Sequence, residues 1–304
     1  MFPADTYAHT GTKRTSPLTL TEWNDVGDYL QAVTEKLGVN PQGGYGTVRA
    51  WLDALQGSLA LLGATGYRNL LVANNATTPN STVDVTADLL GIEGYVAGDV
   101  SVTADIAVEG KNGFDNLSAD AEDANTWYYV WVGYRPATDE RCGLLSKASS
   151  RASLVLSHSS LVGFTAFRRV GAVRNDGSSN FRAFQQQDGC CLYATADGGD
   201  ARVLTNDRTT SMTAVSCAAM VPPTSRLAQL LAILIPTGGT GTCYLGAAAG
   251  DAGFLPAGVA TGGEDHRAAV WMRLTAAQQV YAKFGGTATG GGMGLEVLGY
   301  QDTI

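Results

Sequence analysis

Between positions 127 and 134 the chain sets Trp127, Tyr129 and Trp131 at alternate positions, with Tyr128, Val130, Val132 and Tyr134 between and after them. A period of two sends these sets to opposite faces of a β-strand. Both sets are large and apolar, so the strand has to be covered on both sides. The stretch that it opens, 126–187, closes on mixed apolar and basic residues around Asp176-Gly177. That dipeptide tolerates positive φ and predicts a tight hairpin turn there.

The same alternation recurs along the chain. Val83, Val85 and Ala87 share one face over 82–88, and Val102, Ala104 and Ile106 share one over 101–107. Each reads as a half-buried antiparallel strand. Further strand segments are predicted over 67–73, 214–221, 227–235, 242–247, 268–274 and 294–300. Val280, Ala282 and Phe284 add another, alternating with Gln279, Tyr281 and Lys283. Turns are marked by Asp188-Gly189, Asp197-Gly198-Gly199 and Asn206-Asp207. About ten to twelve strands at this spacing predict a jelly-roll-like antiparallel β-sandwich over 65–304.

Upstream the period changes. Residues 1–18 carry Pro3, Gly11 and Pro17 with few groups to bury, which predicts an extended arm that orders on a neighbour. Thr19-Leu20-Thr21-Glu22 forms a capping box, and Trp23, Val26, Leu30, Val33 and Leu37 follow at heptad spacing before Gly38 and Pro41. After Gly43-Gly44-Tyr45-Gly46, a second helix places Val48, Leu52, Leu55, Leu59 and Leu62 at the same spacing. The pattern over 19–64 fits a small parallel coiled coil between identical chains, with an intramolecular helical hairpin as the alternative. Heptads this short need a neighbouring oligomeric domain to hold them. These ten residues are the candidate oligomerisation positions.

Composition narrows the picture. Glycine reaches 38 of 304 residues and charged residues only 16%, as suits short strands and turns. A formal net charge of −8 argues against non-specific binding to nucleic acid or anionic membrane, which needs clustered Lys and Arg. Arg168, Arg169, Arg174 and Arg182 form a local basic exception, suited to a solvated strand face, a subunit contact or an anionic glycan. Five cysteines without C-x-x-C spacing read as buried free thiols, with Cys190 and Cys191 pointing to opposite faces. The polar start of the chain, with Asp5, Lys13 and Arg14, has no apolar core of a signal peptide. The apolar run 227–235 is too short to span a bilayer, so no membrane insertion is expected.

Candidate chemistry is sparse. The chain has no Walker loop, no G-x-S-x-G, no H-E-x-x-H and no EF-hand loop. Ser157-His158-Ser159 are chain neighbours that a strand would point apart. Glu264-Asp265-His266 reads as an exposed charged turn more than a metal site. Asp197-Gly-Gly-Asp200 lacks the ordered oxygen ligands of a calcium loop. Trp127, Trp131 and Trp271 could stack on sugars but are expected in the core. No catalytic residue, cofactor or metal is expected, and the chain reads as a non-enzyme.

Four segments together carry a resemblance. They are Asn75-Ala-Thr-Thr-Pro-Asn-Ser-Thr-Val-Asp-Val-Thr-Ala-Asp88, Ser101-Val-Thr-Ala-Asp-Ile106, Thr126-Trp-Tyr-Tyr-Val-Trp131 and Val170-Gly-Ala-Val-Arg-Asn-Asp-Gly-Ser-Ser-Asn-Phe181. Their order resembles that in tail-fibre and other virion structural proteins of tailed bacteriophages. Glu296-Val-Leu-Gly-Tyr-Gln-Asp302 is similar to such proteins at its close, and 43–55 resembles the short helix that precedes β-structure in phage fibres. The resemblance implies a homo-oligomeric appendage, most often trimeric, assembled in the host cytoplasm and attached to other virion proteins through its N-terminal region. It also implies a contact with the host surface, for instance a glycan. With no repetitive shaft, the chain would be a short fibre, an adaptor or a decoration. A carbohydrate-binding adhesin module and, less well supported, a polysaccharide depolymerase are the competing readings.

Overall fold

The computed structural model describes residues 66–194, 201–249 and 255–304. All of them belong to the larger of the two units into which the chain divides, Ala60–Ile304. The expected arm over 1–18, the heptad segments over 19–64 and the Asp197-Gly-Gly-Asp200 motif lie outside the described residues.

The described chain is mainly β, and its helical residues are two 3₁₀ turns, Arg151–Ser153 and Ser159–Leu161. It opens with the short β1 (Tyr67–Arg68) and β2 (Leu71–Asn74), separated where Asn69 takes a positive φ of 53°. The hairpin of β3 (Thr82–Ile92) and β4 (Tyr95–Glu109) turns through Glu93 and Gly94. Both turn residues have positive φ, 42° and 91°. That geometry twists in the same sense as the strands it joins. The two-residue β5 (Gly113–Phe114) follows, then β6 (Trp127–Arg135), β7 (Glu140–Ser146) and β8 (Ala166–Arg174).

Next come β9 (Phe184–Gln187) and β10 (Cys190–Tyr193), joined by Asp188-Gly189, again with positive φ at both positions, 51° and 83°. The chain continues through β11 (Arg202–Asp207), β12 (Thr213–Ser216), β13 (Leu227–Thr237), β14 (Thr240–Gly246), β15 (Leu255–Thr261), β16 (His266–Arg273), β17 (Gln279–Gly286) and β18 (Gly290–Gln301).

One large sheet runs β16-β13-β18-β10-β9-β2-β3-β4-β5-β7-β6-β8, with β1 added on β3 and β11 on β18. It is mixed, because β5 lies parallel to both β4 and β7. A smaller sheet has the order β12-β17-β14-β15. The β6–β8 end of the large sheet folds back over its middle. Tyr300 Oη on β18 donates to the Ala172 carbonyl on β8 at 2.9 Å, and Gln186 Nε2 on β9 donates to the Val170 carbonyl at 2.7 Å. The rings of Trp127 and Tyr300 meet edge to face, with centroids 5.9 Å apart.

The aromatic strand β6 is covered on both faces. Tyr128, Val130, Val132 and Tyr134 join the main core, whereas Tyr129 and Trp131 join a second cluster with Leu144, Leu161, Phe164 and Phe167. The loop that carries both 3₁₀ turns supplies Leu161 to that cluster, and Leu154 and Leu156 pack against it.

The turn after β8 departs from expectation. Gly177 does not take positive φ; Ser179 does, at 59°. The Asp176 carboxylate is the reason, since its Oδ1 accepts from the backbone N–H of Ser178 (2.7 Å) and of Asn180 (3.0 Å) and so shapes a longer loop. Beyond it a single bridge, Asn175 to Phe181, continues the pairing. The next strand, β9, pairs with β2 and β10 instead of β8.

Candidate contact surface

The side chains of Arg168, Arg169 and Arg174 bond within the chain's own structure. Arg168 Nη1 donates to the carbonyls of Gly66 and Gly91, both at 2.8 Å, and its guanidinium lies 5.4 Å from the ring centre of Tyr67. Burial pulls its pKa down. Arg169 reaches the other way, to the Thr303 carbonyl and to within 3.6 Å of Asp302, over the ring of Tyr129. Arg174 donates to the carbonyls of Asn125 (2.9 Å) and Ala219. Burial first, then the charge of Arg182 nearby, lowers the Arg174 pKa. Arg182 is half-buried, and its backbone N–H donates to the Arg174 carbonyl at 2.9 Å. Arg168, Arg169 and Arg174 thus serve separate contacts and do not converge on one anion-sized site.

Among the ionisable groups whose pKa is shifted, two carboxyls are sealed in packing. Asp115, 4% exposed, accepts from Ser146 Oγ (2.7 Å) and the Val155 N–H (3.1 Å), and burial pushes its pKa up. The Asp302 side chain is fully buried beside Arg169, and there too burial, opposed by that arginine, raises the pKa. These groups pin the chain in place; neither lines one of the surface grooves described below.

His158 does meet a serine, but it is Ser160, whose Oγ lies 2.7 Å from Nδ1. The imidazole also accepts the Ser160 N–H, as the N-cap of a 3₁₀ turn, and Ser160 Oγ accepts the Lys111 N–H at 2.8 Å. The group is a local cap. In the exposed turn before β16, Glu264 accepts from Thr261 and Asp265 pairs with Arg267. Among the described residues no group of three or more His, Cys, Asp or Glu is placed to hold a metal ion. No helix among them is long and apolar enough to cross a membrane.

The tryptophans divide. Trp131 is buried, and its indole N–H donates to the Ala148 carbonyl at 3.2 Å; Trp127 donates to the Ala218 carbonyl at 3.0 Å. Trp271, expected in the core, is 44% exposed. The cause is its strand, β16, which is the edge of the large sheet, with register that turns Trp271 to the outer face opposite Gln229.

From Trp271 the outer face can be followed across eight strands in strict register. One level reads Trp271, Gln229, Gly299, Leu192, Gln185, Ala73, Asp84 and Thr103, on β16, β13, β18, β10, β9, β2, β3 and β4. Two residues along each strand, the next level reads Arg273, Leu227, Gln301, Cys190, Gln187, Leu71, Thr86 and Ser101. Between them runs the inward level, Met272, Ala228, Tyr300, Cys191, Gln186, Val72, Val85 and Val102, of which all but the half-buried Val102 are buried. The period of two is therefore kept across these eight strands, with an inner side that is apolar except for Gln186 and an outer side rich in amides.

A shallow groove of about 540 Å³ lies on this outer side, lined among others by Asn74, Gln185, Gln187, Cys190 and Leu192. Leu192 is 50% exposed, and Gln185, Gln187 and Gln301 are exposed. A second groove of about 230 Å³, between Arg202, Asn206 and Ile235, lies over the glycines of β18. The glycines are required there, because a Cβ at Gly292 would stand 2.7 Å from the Asp207 carbonyl oxygen. The sequence pattern marks which residues of each strand face outward. It does not mark that these strands are neighbours, and so does not reveal the continuous face.

No protein-family model matches the sequence, and no curated protein matches it.

Proposed function

We propose that this chain is a structural subunit of a tailed-bacteriophage virion, a short tail-fibre-like or decorating appendage that acts by assembly and by surface contact, without catalysis. On this reading it forms a homo-oligomer, a trimer, through 19–64 together with the β-domain. It attaches to other virion proteins through its N-terminal region and resides on the particle. The segment resemblance over 66–187 supports the reading. The observation that carries it is the exposure of Trp271 and Leu192 in one register level of the eight-strand face, with the half-buried Gln229 and the buried Gly299 between them. An outward indole, apolar on its face and polar at its edge, on a rigid sheet suits recognition of another surface.

For the β-domain we propose a sandwich of jelly-roll type. The support is the fold-back of β6 and β8 over β9 and β18, which sets two layers face to face around Tyr128 and Tyr300. Antibody against the chain, imaged by electron microscopy on purified particles, tests the virion reading. Label at a fixed position on the particle is expected. Particles that never carry label, from a host that produces the chain, would exclude it.

A further inference from the structure

We propose that the outer-face level running from Trp271 through Gln229 and Leu192 to Gln185 binds a neutral polysaccharide. The proposal rests on reading the chain as a contact protein, and it does not depend on where on a particle the chain sits.

Two features of the level suit an extended, uncharged carbohydrate. An exposed indole offers a flat apolar face for the C–H side of a pyranose ring while tolerating water at its edge. Each glutamine amide presents a carbonyl acceptor beside an NH₂ donor, a pairing that matches neighbouring hydroxyls on one sugar. Gln229 stands directly beside Trp271 across the β16–β13 pair, and Gln185 stands beside Leu192 across the β9–β10 pair. Between Trp271 and Leu192 there are three strand-to-strand steps, about 14 Å at the usual spacing of about 4.8 Å. The occupant is therefore a chain of several sugar units. Beyond Leu192 it enters the groove of about 540 Å³ that Gln185 and Asn74 help to line.

Charge decides against other ligands. From Trp271 to Ala73 the level carries no ionisable side chain. An anionic glycan or nucleic acid would need a cluster of arginines or lysines; Arg273, exposed two residues along β16 from Trp271, is a single cation, and the arginines of β8 are committed to carbonyls and Asp302 elsewhere. A second copy of the chain is also a poorer fit. Stable interfaces bury about 800 Å² per partner around an apolar centre, whereas here Gln229 and Gly299 separate the two exposed apolar side chains. The site needs no induced order, since its side chains stand on paired strands.

The test is electrophoresis of the full chain through native gels containing dextran, mannan or galactomannan, with dextran sulfate as the charged control. The expected result is retardation by at least one neutral polysaccharide, unchanged by added salt because no ion pair is involved. Trp271→Ala should weaken that retardation at least tenfold. Val259→Ser, an exposed site on β15 of the smaller sheet, should leave it unchanged. Passage through all three neutral gels without retardation would overturn the proposal, as would retardation by dextran sulfate alone or an unaltered Trp271→Ala variant. A Trp271→Ala variant that loses self-association would identify the face as a subunit interface and overturn it too. A chain that labels particles yet ignores every neutral gel refutes the polysaccharide alone and leaves the virion reading standing.

Discussion

The hydroxyl of Tyr300, on the last strand, donates to the carbonyl oxygen of Ala172 across the core at 2.9 Å, joining residues 128 positions apart. Both partners are buried, and the Tyr300 ring also meets Trp127 and Tyr193. The bond closes the fold-back of β8 over β18. Removing the hydroxyl by Tyr300→Phe keeps the ring packing and strips one buried hydrogen bond. A loss of roughly 1–2 kcal/mol is expected, read as a lower urea midpoint at unchanged slope.

Trp131 and Trp271 should behave as opposites, although both lie on strands at alternating positions. Trp131 is 3% exposed within the cluster of Phe164 and Phe167, and Trp131→Ala should cost about 3–5 kcal/mol. Trp271→Ala removes a ring that is 44% exposed and should cost only about 1 kcal/mol. Chemical denaturation of both variants checks the contrast.

Thiol reactivity should separate one cysteine from four. All five are free; Cys142, Cys191, Cys217 and Cys243 are buried, and burial pushes the pKa of each up to about 12. Cys190 is half-exposed on the outer face. The thiolate is the reactive form, so a disulfide reagent at pH 8 should titrate one thiol rapidly in the native protein and five in denaturant.

The pH dependence of stability should reveal Asp302. Its carboxyl is raised above the ordinary value of 3.8 in the folded chain, because burial outweighs the help of Arg169. The folded state then holds this proton more tightly than the unfolded state, so the group's contribution falls as pH rises from about 3.8 through the raised folded value. Asp302→Asn abolishes that titration. The stability difference between variant and parent should therefore shift in favour of the variant on passing from acid to neutral pH; a pH-independent difference would contradict it.

Much of the architecture was legible one strand at a time. Val83, Val85 and Ala87 are buried as their alternation predicts, and both faces of β6 are covered as its aromatic residues require. Asp188-Gly189 turns the chain as its chemistry predicts. What failed depended on one local competition and otherwise on partners far along the chain. Asp176 reshaped its loop through its own carboxylate, a competition that the Asp-Gly pair conceals. Trp271 looked like core because 268–274 is apolar on both sides, and only the place of β16 at the sheet edge sends it outward. The arginines stood together in sequence, yet their carbonyl partners at Gly66, Gly91, Asn125 and Ala219 lie up to about a hundred residues away, which local pattern cannot supply.

The oligomeric state of the full chain decides whether it is a subunit of an appendage. Multi-angle light scattering at micromolar concentration should give a single species at three times the mass of a 31.6 kDa chain. A monodisperse monomer under the same conditions would contradict the assembly on which the proposed function depends.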